Sequence, residues 1–489
     1  MKTIWTTLAC ACVALALAGG AGAVSYGVTE DGAKDASFFD TLTDLGLTEN
    51  RVSVAWNPAT PNQLDNQAQL DWLVPEAAIH GIQIVISVAP AHPTDITGTR
   101  SAPGQFASFL QFVARRYPTV KDYVVGNEPN QPRFWQPQFI RGVPVAGATY
   151  EPVLARSYDA LKAVDPSINV IGLGLSPRGN DNPLASSNVS TSPVRFLHDL
   201  GVAYRKSKRV KPLMDELAFH PYPQSNTDPP TKGTIWPNGG LVNLDRIKQA
   251  AWDSFGGTGQ PTFAEPGNKS KHPLTLDLDE VGWQVSIPAS VRSFYHGQET
   301  AITIDDATQA RYDVQAVKLV SCDPGVRVLS FFHLYDETDL DRWQSGLIRA
   351  DGYKRPAYAA VKNAVANSAC TGPAVAWRHT TIVAGAKTTF GKKQTLVVTT
   401  QEEATFRAAI IRLPARGTLS RAAIKRTLLA ASSPRRVLKS TGTITAYRRR
   451  FVAFPPRRLK HGRYVLAVTV AATMNPARTS LAFGKPFRR

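Results

Sequence analysis

The chain has 489 residues, 43% of them apolar and 19% charged, which excludes a disordered or fibrous protein and leaves room for more than one folded unit. Four cysteines exclude a disulfide-dense scaffold. The formal charge of +18 is unevenly spread: in residues 371–489, 24 lysines and arginines face two acids, Glu402 and Glu403, so this part holds +22 and the first 370 residues −4.

Residues 1–23 read as a secretory signal peptide, because Lys2 precedes an apolar stretch, 4–18, and small residues ending in Ala21-Gly22-Ala23 form a cleavage site. At about 15 apolar residues the stretch is short for a membrane span. Export to the cell exterior or wall, with no membrane span, is the expectation. Beyond it, apolar runs recur at 24–28, 52–56, 82–88, 123–125, 168–175, 217–220, 274–278 and 326–334. Between them lie segments such as 107–117 (ASFLQFVARRY) and 150–164, with apolar residues at helical spacing and Pro118 or Pro166 after the stop. Strands alternating with helices in this way predict an α/β fold, a (β/α)8 TIM barrel over residues 24–370.

Such barrels build their sites at the C-terminal strand ends, and two of these ends present a glutamate. In YVVGNEPN (residues 123–130) the run stops at Gly126, and Pro129 cannot donate to a sheet, so Asn127 and Glu128 end the fourth strand. In LTLDLDEVGW (residues 274–283) Leu274, Leu276 and Leu278 alternate with Thr275, Asp277 and Asp279 until Gly282, which puts Glu280 at the end of the seventh. Other polar or aromatic groups at strand ends are Glu30, Asp31, Trp56, Asn57, His92, Ser176, Arg178, His220, Tyr222, Trp283, His333, Tyr335 and Asp336. Two carboxyl groups on one rim are what hydrolysis of a glycosidic bond requires.

With Asn127-Glu128-Pro129, His220-Pro221-Tyr222 and Glu280 with Gly282-Trp283 ending strands four, six and seven, residues 24–370 resemble clan A of the retaining glycoside hydrolases, nearest its cellulase-like members. The resemblance implies that Glu128 is the general acid/base, Glu280 the nucleophile, Asn127 a donor to the sugar 2-hydroxyl and Tyr222 a partner of the nucleophile, with His220 lining the site. It implies no metal and no organic cofactor. Two features depart from the pattern. Arg51, the one candidate for the clan's strand-two arginine, opens its run and is expected at the wrong end of the barrel; the tryptophan after strand eight is missing from FFHLYDET (residues 331–338), with His333, Tyr335 or Trp343 as substitutes.

Trp56, Trp135, Trp236, Trp283 and Trp343 lie in or beside loops on the strand-end side, where flat faces can stack on sugar rings; Trp283 and Trp135, near the two glutamates, are the favoured pair. His92, His220 and His333 lack the close ligand spacing of a metal centre. Loss of the leader would remove Cys10 and Cys12 and leave Cys322 and Cys370, expected to form one disulfide between the start of strand eight and the end of the last barrel helix. Residues 371–489 alternate apolar and polar positions at 394–399, 408–413, 443–447, 450–454 and 464–470, between Gly, Pro and Ser turns, and so predict a small all-β sandwich domain.

The expected function is a secreted, monomeric retaining glycosidase acting on a β-linked polysaccharide or oligosaccharide, with the basic domain attached to an anionic cell-wall polymer and no nucleic-acid partner. A second class of function is a non-catalytic sugar-binding or cell-surface adhesion protein on the same barrel.

Overall fold

The structure, a computed structural model, describes residues 24–33, 35–266, 272–375, 377–379, 387–391 and 394–489. The expected leader lies outside them. Eight parallel strands close a barrel: β1 (Ser25–Thr29), β2 (Glu49–Trp56), β3 (Gln83–Pro90), β4 (Asp122–Val125), β5 (Asn169–Leu175), β6 (Glu216–Phe219), β7 (Thr275–Val281) and β8 (Val326–Phe331). Each pairs with the next in sequence, and β1 pairs with β8 through Val28 and Phe331, so every expected strand is present.

Between them run α1 (Ser37–Leu45), α2 (Gln67–Ile79), α3 (Ala102–Arg116), α4 (Ala146–Val164), α5 (Pro193–Ser207), α6 (Leu244–Phe255) and α7 (Asp306–Val320), and α8 (Pro356–Ala366) follows the last strand. Two of these helices, α5 and α7, start on a side-chain cap. Ser192 and Asp305 accept from the backbone N–H groups of Arg195 and Thr308, which otherwise lack partners in a first helical turn. Apolar side chains such as Phe109, Leu154, Leu197 and Ile247 fill the space between helices and strands.

Inside the barrel the alternation of β-strand side chains sets charges in two layers. At the lower level Arg327 pairs with Glu49 (2.7 Å), Glu216 (2.6 Å) and Asp277 (2.6 Å). One layer nearer the C-terminal rim, Arg51 pairs with Asp279 and Glu280. A small apolar cluster, Val85, Val124, Ile171 and Ala218, stands apart from the main core.

The C-terminal part is a sandwich of antiparallel sheets. One contains β9 (Lys387–Phe390), β10 (Thr395–Thr399) and β13 (Arg450–Ala453); the other contains β11 (Ala404–Arg412), β12 (Arg436–Ile444), β14 (Arg463–Ala472), β15 (Thr479–Phe483) and β16 (Phe487–Arg488). Leu396, Val398 and Val452 face Phe406, Ile410 and Val468 across the core. Two differences from the sequence reading stand out. Of the run 443–447 only the first two residues are strand, the end of β12, which begins at Arg436, and the domain also contains a helix, α9 (Arg421–Leu429), capped by Ser420. Ile424 and Leu428, four residues apart, pack that helix on the outer face of β11 and β14.

Cys322 and Cys370 form a disulfide that joins the loop before β8 to the segment after α8. Among the described residues no helix is long and apolar enough to cross a membrane.

Candidate active site

A cleft of about 1120 Å³ opens at the C-terminal rim, and both glutamates line it. Glu128 follows β4 by three residues in a left-handed conformation (φ 40), rare for a residue with a Cβ, and its N–H donates to Gly174 O at 2.8 Å. That contact depends on an irregular β5: Leu173 and Gly174 both have positive φ, and a Cβ on Gly174 would stand 3.2 Å from His220 Nε2. The missing side chain makes room for the imidazole beneath the two acids.

His220 is fully buried and tied to three carboxyl groups: Nδ1 lies 3.1 Å from Glu128 Oε1 and 3.3 Å from Glu280 Oε2, and Nε2 lies 3.2 Å from Asp279 Oδ1. The two Nδ1 distances cap the Glu128 Oε1 to Glu280 Oε2 separation at 6.4 Å. Burial opposes a charge on the ring, but Glu280 and Asp279 outweigh it and push the His220 pKa up to about 10. The ring is therefore an imidazolium at neutral pH, with its Nδ1–H donating to Glu128 and its Nε2 side paired with the Asp279 charge.

Glu280 receives two donors and the charge of the imidazole. Arg51 Nη1 lies at 2.8 Å from Oε1, and Tyr222 Oη at 3.1 Å and His220 Nδ1 at 3.3 Å from Oε2. Burial raises its pKa above the usual carboxylate value, and the His220 and Arg51 charges pull it back. Burial also works against ionisation of Asp279, yet His220 and Arg51, the latter with Nε 2.9 Å from Oδ2, hold that carboxyl below its ordinary range. Burial and the Glu280 charge keep the Tyr222 hydroxyl protonated, its pKa raised well above the phenol value.

Arg51 corrects the sequence reading. β2 begins two residues earlier, at Glu49, and the long inward side chain of Arg51 climbs the barrel axis to reach the rim. Its Nη2 donates to Ser87 Oγ (3.0 Å) and to Asn127 Oδ1 (2.8 Å). With that oxygen occupied, the Asn127 amide has its NH2 donors left for the cleft.

Four other expected site residues lie elsewhere. Trp283 is 1% exposed, with its indole N–H on Asp228 O (3.0 Å) and its ring edge-on to Tyr312. Gly282 lets the strand pass against Phe332 O, where a Cβ would stand 2.4 Å away, and the chain then turns Trp283 into the core. Trp135 is buried against Tyr150 and donates to Thr149, and Trp56 is buried against Phe106. His92 is an exposed loop residue beside Asp95. None of the four lines the cleft, and His220 lies under it rather than on its wall.

His333 and Trp343 do line the cleft. His333 donates from Nδ1 to Thr29 O at 2.7 Å, and the Trp343 ring lies 4.9 Å from that of Tyr222. Glu30 supports this wall by accepting from the N–H groups of Leu334 (3.2 Å) and Tyr335 (3.0 Å). Asp279 is the residue sequence reasoning passed over. Its signal was present, since the alternation 275, 277, 279 puts buried-strand acids on the inward face.

No protein-family model and no curated protein sequence matches the chain. Solved structures to which it is similar include a family 39 glycoside hydrolase from Bacteroides cellulosilyticus WH2 (16% identity, covering 88% of this chain and 81% of that one, TM-score 0.48). A glucosidase from Croceicoccus marinus (12%, 88% and 93%, 0.47) and a family 39 β-xylosidase from Caulobacter crescentus (15%, 86% and 93%, 0.45) are similar in the same degree. The barrel itself rests on its own strand pairing, and the chemistry of the site on the side chains above.

Proposed function

We propose that the chain is a retaining glycoside hydrolase acting on β-linked glycans by double displacement, with Glu280 as nucleophile and Glu128 as acid/base. The observation that supports this most is that both carboxyl groups reach one imidazole nitrogen. The 6.4 Å ceiling on their separation suits the ~5–5.5 Å of retaining enzymes and falls short of the ~6.5–9.5 Å of inverting ones.

The donors assign the roles. Two cations, Arg51 and His220, face three carboxyl groups, Glu128, Asp279 and Glu280, so a single proton on one of the three leaves the cluster neutral. Arg51 and Tyr222 donate to Glu280, which also pairs with His220, whereas Glu128 has the His220 donor alone, so Glu280 is the better-supported anion and takes the nucleophile's role. In the first step a Glu280 oxygen attacks the anomeric carbon, the glycosidic C–O bond breaks and Glu128 protonates the leaving oxygen. Water then gives its proton to Glu128 and attacks the same carbon, releasing Glu280. The Asn127 amide would hold a sugar hydroxyl, and Trp343 with Tyr222 would form the stacking wall. A cleft larger than the ~300–1000 Å³ of single small-ligand pockets suits an oligosaccharide segment. With the leader expected at residues 1–23, the proposed enzyme is an exported one.

NMR of the first anomer released from a panel of β-linked glycans tests the mechanism, with mass labelling by an activated fluorosugar to locate the nucleophile. Retained configuration and a label on Glu280 are expected. An inverted product, or a label elsewhere, would overturn the mechanism; no product from any glycan would favour the sugar-binding alternative.

A further inference from the structure

The loop 235–238 joins the cleft to the basic domain. Asn238 lines the cleft, while Ile235, Trp236 and Pro237 form one wall of a groove of about 440 Å³ whose other wall is Glu403 and residues 445–448. One guanidinium fixes both walls: Arg246 donates from Nη2 to Tyr447 Oη at 2.9 Å, and from Nη1 to the main-chain oxygens of Thr234 and Asn238. Ile235 is 71% and Tyr447 43% exposed, so an aliphatic face and an aromatic ring stand open to solvent beside the polar groups of Glu403, Thr445 and Arg448. Sugar rings, with apolar C–H faces and polar edges, match such a surface.

Charge selects among sugars. Arg448 lines the groove, Arg449 and Arg450 follow it in exposed positions, and Glu403 is the one carboxylate among the groove's lining residues, in a domain of net +22. We propose that this groove extends the cleft as a binding track for a long anionic glycan, with carboxylates on the arginines and sugar faces on Tyr447 and Ile235. The proposal rests on reading the cleft as a glycan site, and it adds the substrate class: an acidic polymer long enough to pass Asn238.

The test measures binding of the full chain, not turnover, by affinity electrophoresis in carboxymethyl cellulose and in hydroxyethyl cellulose, two β-glucans that differ in charge. Arg448→Gln/Arg449→Gln is compared with Arg457→Gln/Arg458→Gln, an equal change of charge at exposed residues of the same domain that do not line the groove. The groove pair is expected to weaken binding to carboxymethyl cellulose about tenfold at low salt, converging with wild type at high salt, and the control pair by less than about twofold. Neither should change retention by hydroxyethyl cellulose. Equal losses from both pairs would show diffuse charge attraction, and equal wild-type affinity for both polymers would remove the acidic-glycan class. An oligo-dT arm bound more tightly than carboxymethyl cellulose, and lost in the groove pair, would make the partner a nucleic acid. Because binding is read directly, a chain that cleaves no glycan can still pass this test, and one that cleaves glycans can still fail it.

Discussion

A buried imidazolium between three carboxyl groups makes His220 the hub of the site, and its protonation ties site chemistry to stability. A histidine whose folded pKa of about 10 exceeds its ordinary value of 6.5 adds stability that is complete below pH 6.5 and is lost as pH rises through about 10. Urea unfolding of the wild type should therefore show stability falling over that alkaline window. Asp279→Asn removes one of the charges that raise the pKa, so its decline should be smaller and end at lower pH; an unchanged profile would contradict the role of Asp279. Glu128→Gln tests the proton donor. Hydrolysis of substrates with poor leaving groups should slow by about 10²–10⁴-fold and that of activated aryl glycosides far less, since only the former need a proton on the leaving oxygen. Equal losses on both would remove the acid role. Glu128 and Glu280 were legible in the sequence because each ends an apolar run beside a Pro or Gly. Arg51 was misplaced because its position depends on how far β2 extends below it, which a run beginning at Val52 does not reveal.

At the scale of elements, the eight barrel strands were legible because buried parallel strands are continuous apolar runs. Their inward polar residues interrupted those runs without hiding them. The lower layer shows what such residues can cost. Burial raises the pKa values of Glu49 and Glu216 and raises that of Asp277 well above the usual range, with Arg327 as the cation that offsets them. Arg327→Met should destabilise the barrel by about 3–5 kcal/mol by leaving buried acids without their cation. Carboxyls with raised folded pKa values favour the fold below their unfolded pKa and lose that contribution as pH climbs. The loss in Arg327→Met should thus be smaller at pH 5 than at pH 8 in denaturant titrations, and a loss independent of pH would contradict this account. Helix α9 went unread because its apolar positions, Ile424 and Leu428, are few among basic residues, and its partner face lies on sheet strands distant in sequence.

Across the whole molecule, the barrel and the basic domain share packing as well as a chain. Trp377, Ala446 and Met474 belong to the barrel's apolar cluster, and Trp252 of α6 stacks on His379 with ring centroids 4.0 Å apart. Asp253 of the same helix pairs with Arg478 at 2.9 Å and accepts from Asn475 at 3.0 Å. Truncation after Cys370 should therefore lower barrel stability by at least about 3 kcal/mol and lower its melting temperature, through lost apolar cover and an unpaired Asp253. A truncated barrel melting at the full-length temperature would show the two units to be independent.

By itself the sequence determined the barrel, the basic sandwich, the paired cysteines and the two glutamates, because each follows from residue order: strand period, turn residues and local composition. Only tertiary structure decided that Arg51 and Asp279 belong to the site, that Trp56, Trp135 and Trp283 are core residues, and that His220 lies beneath both acids. Those facts depend on strand register and on where a side chain points once the barrel closes. Both are set by contacts between residues far apart in the chain, such as Arg51 with Glu280, 229 positions away, and local pattern does not encode them.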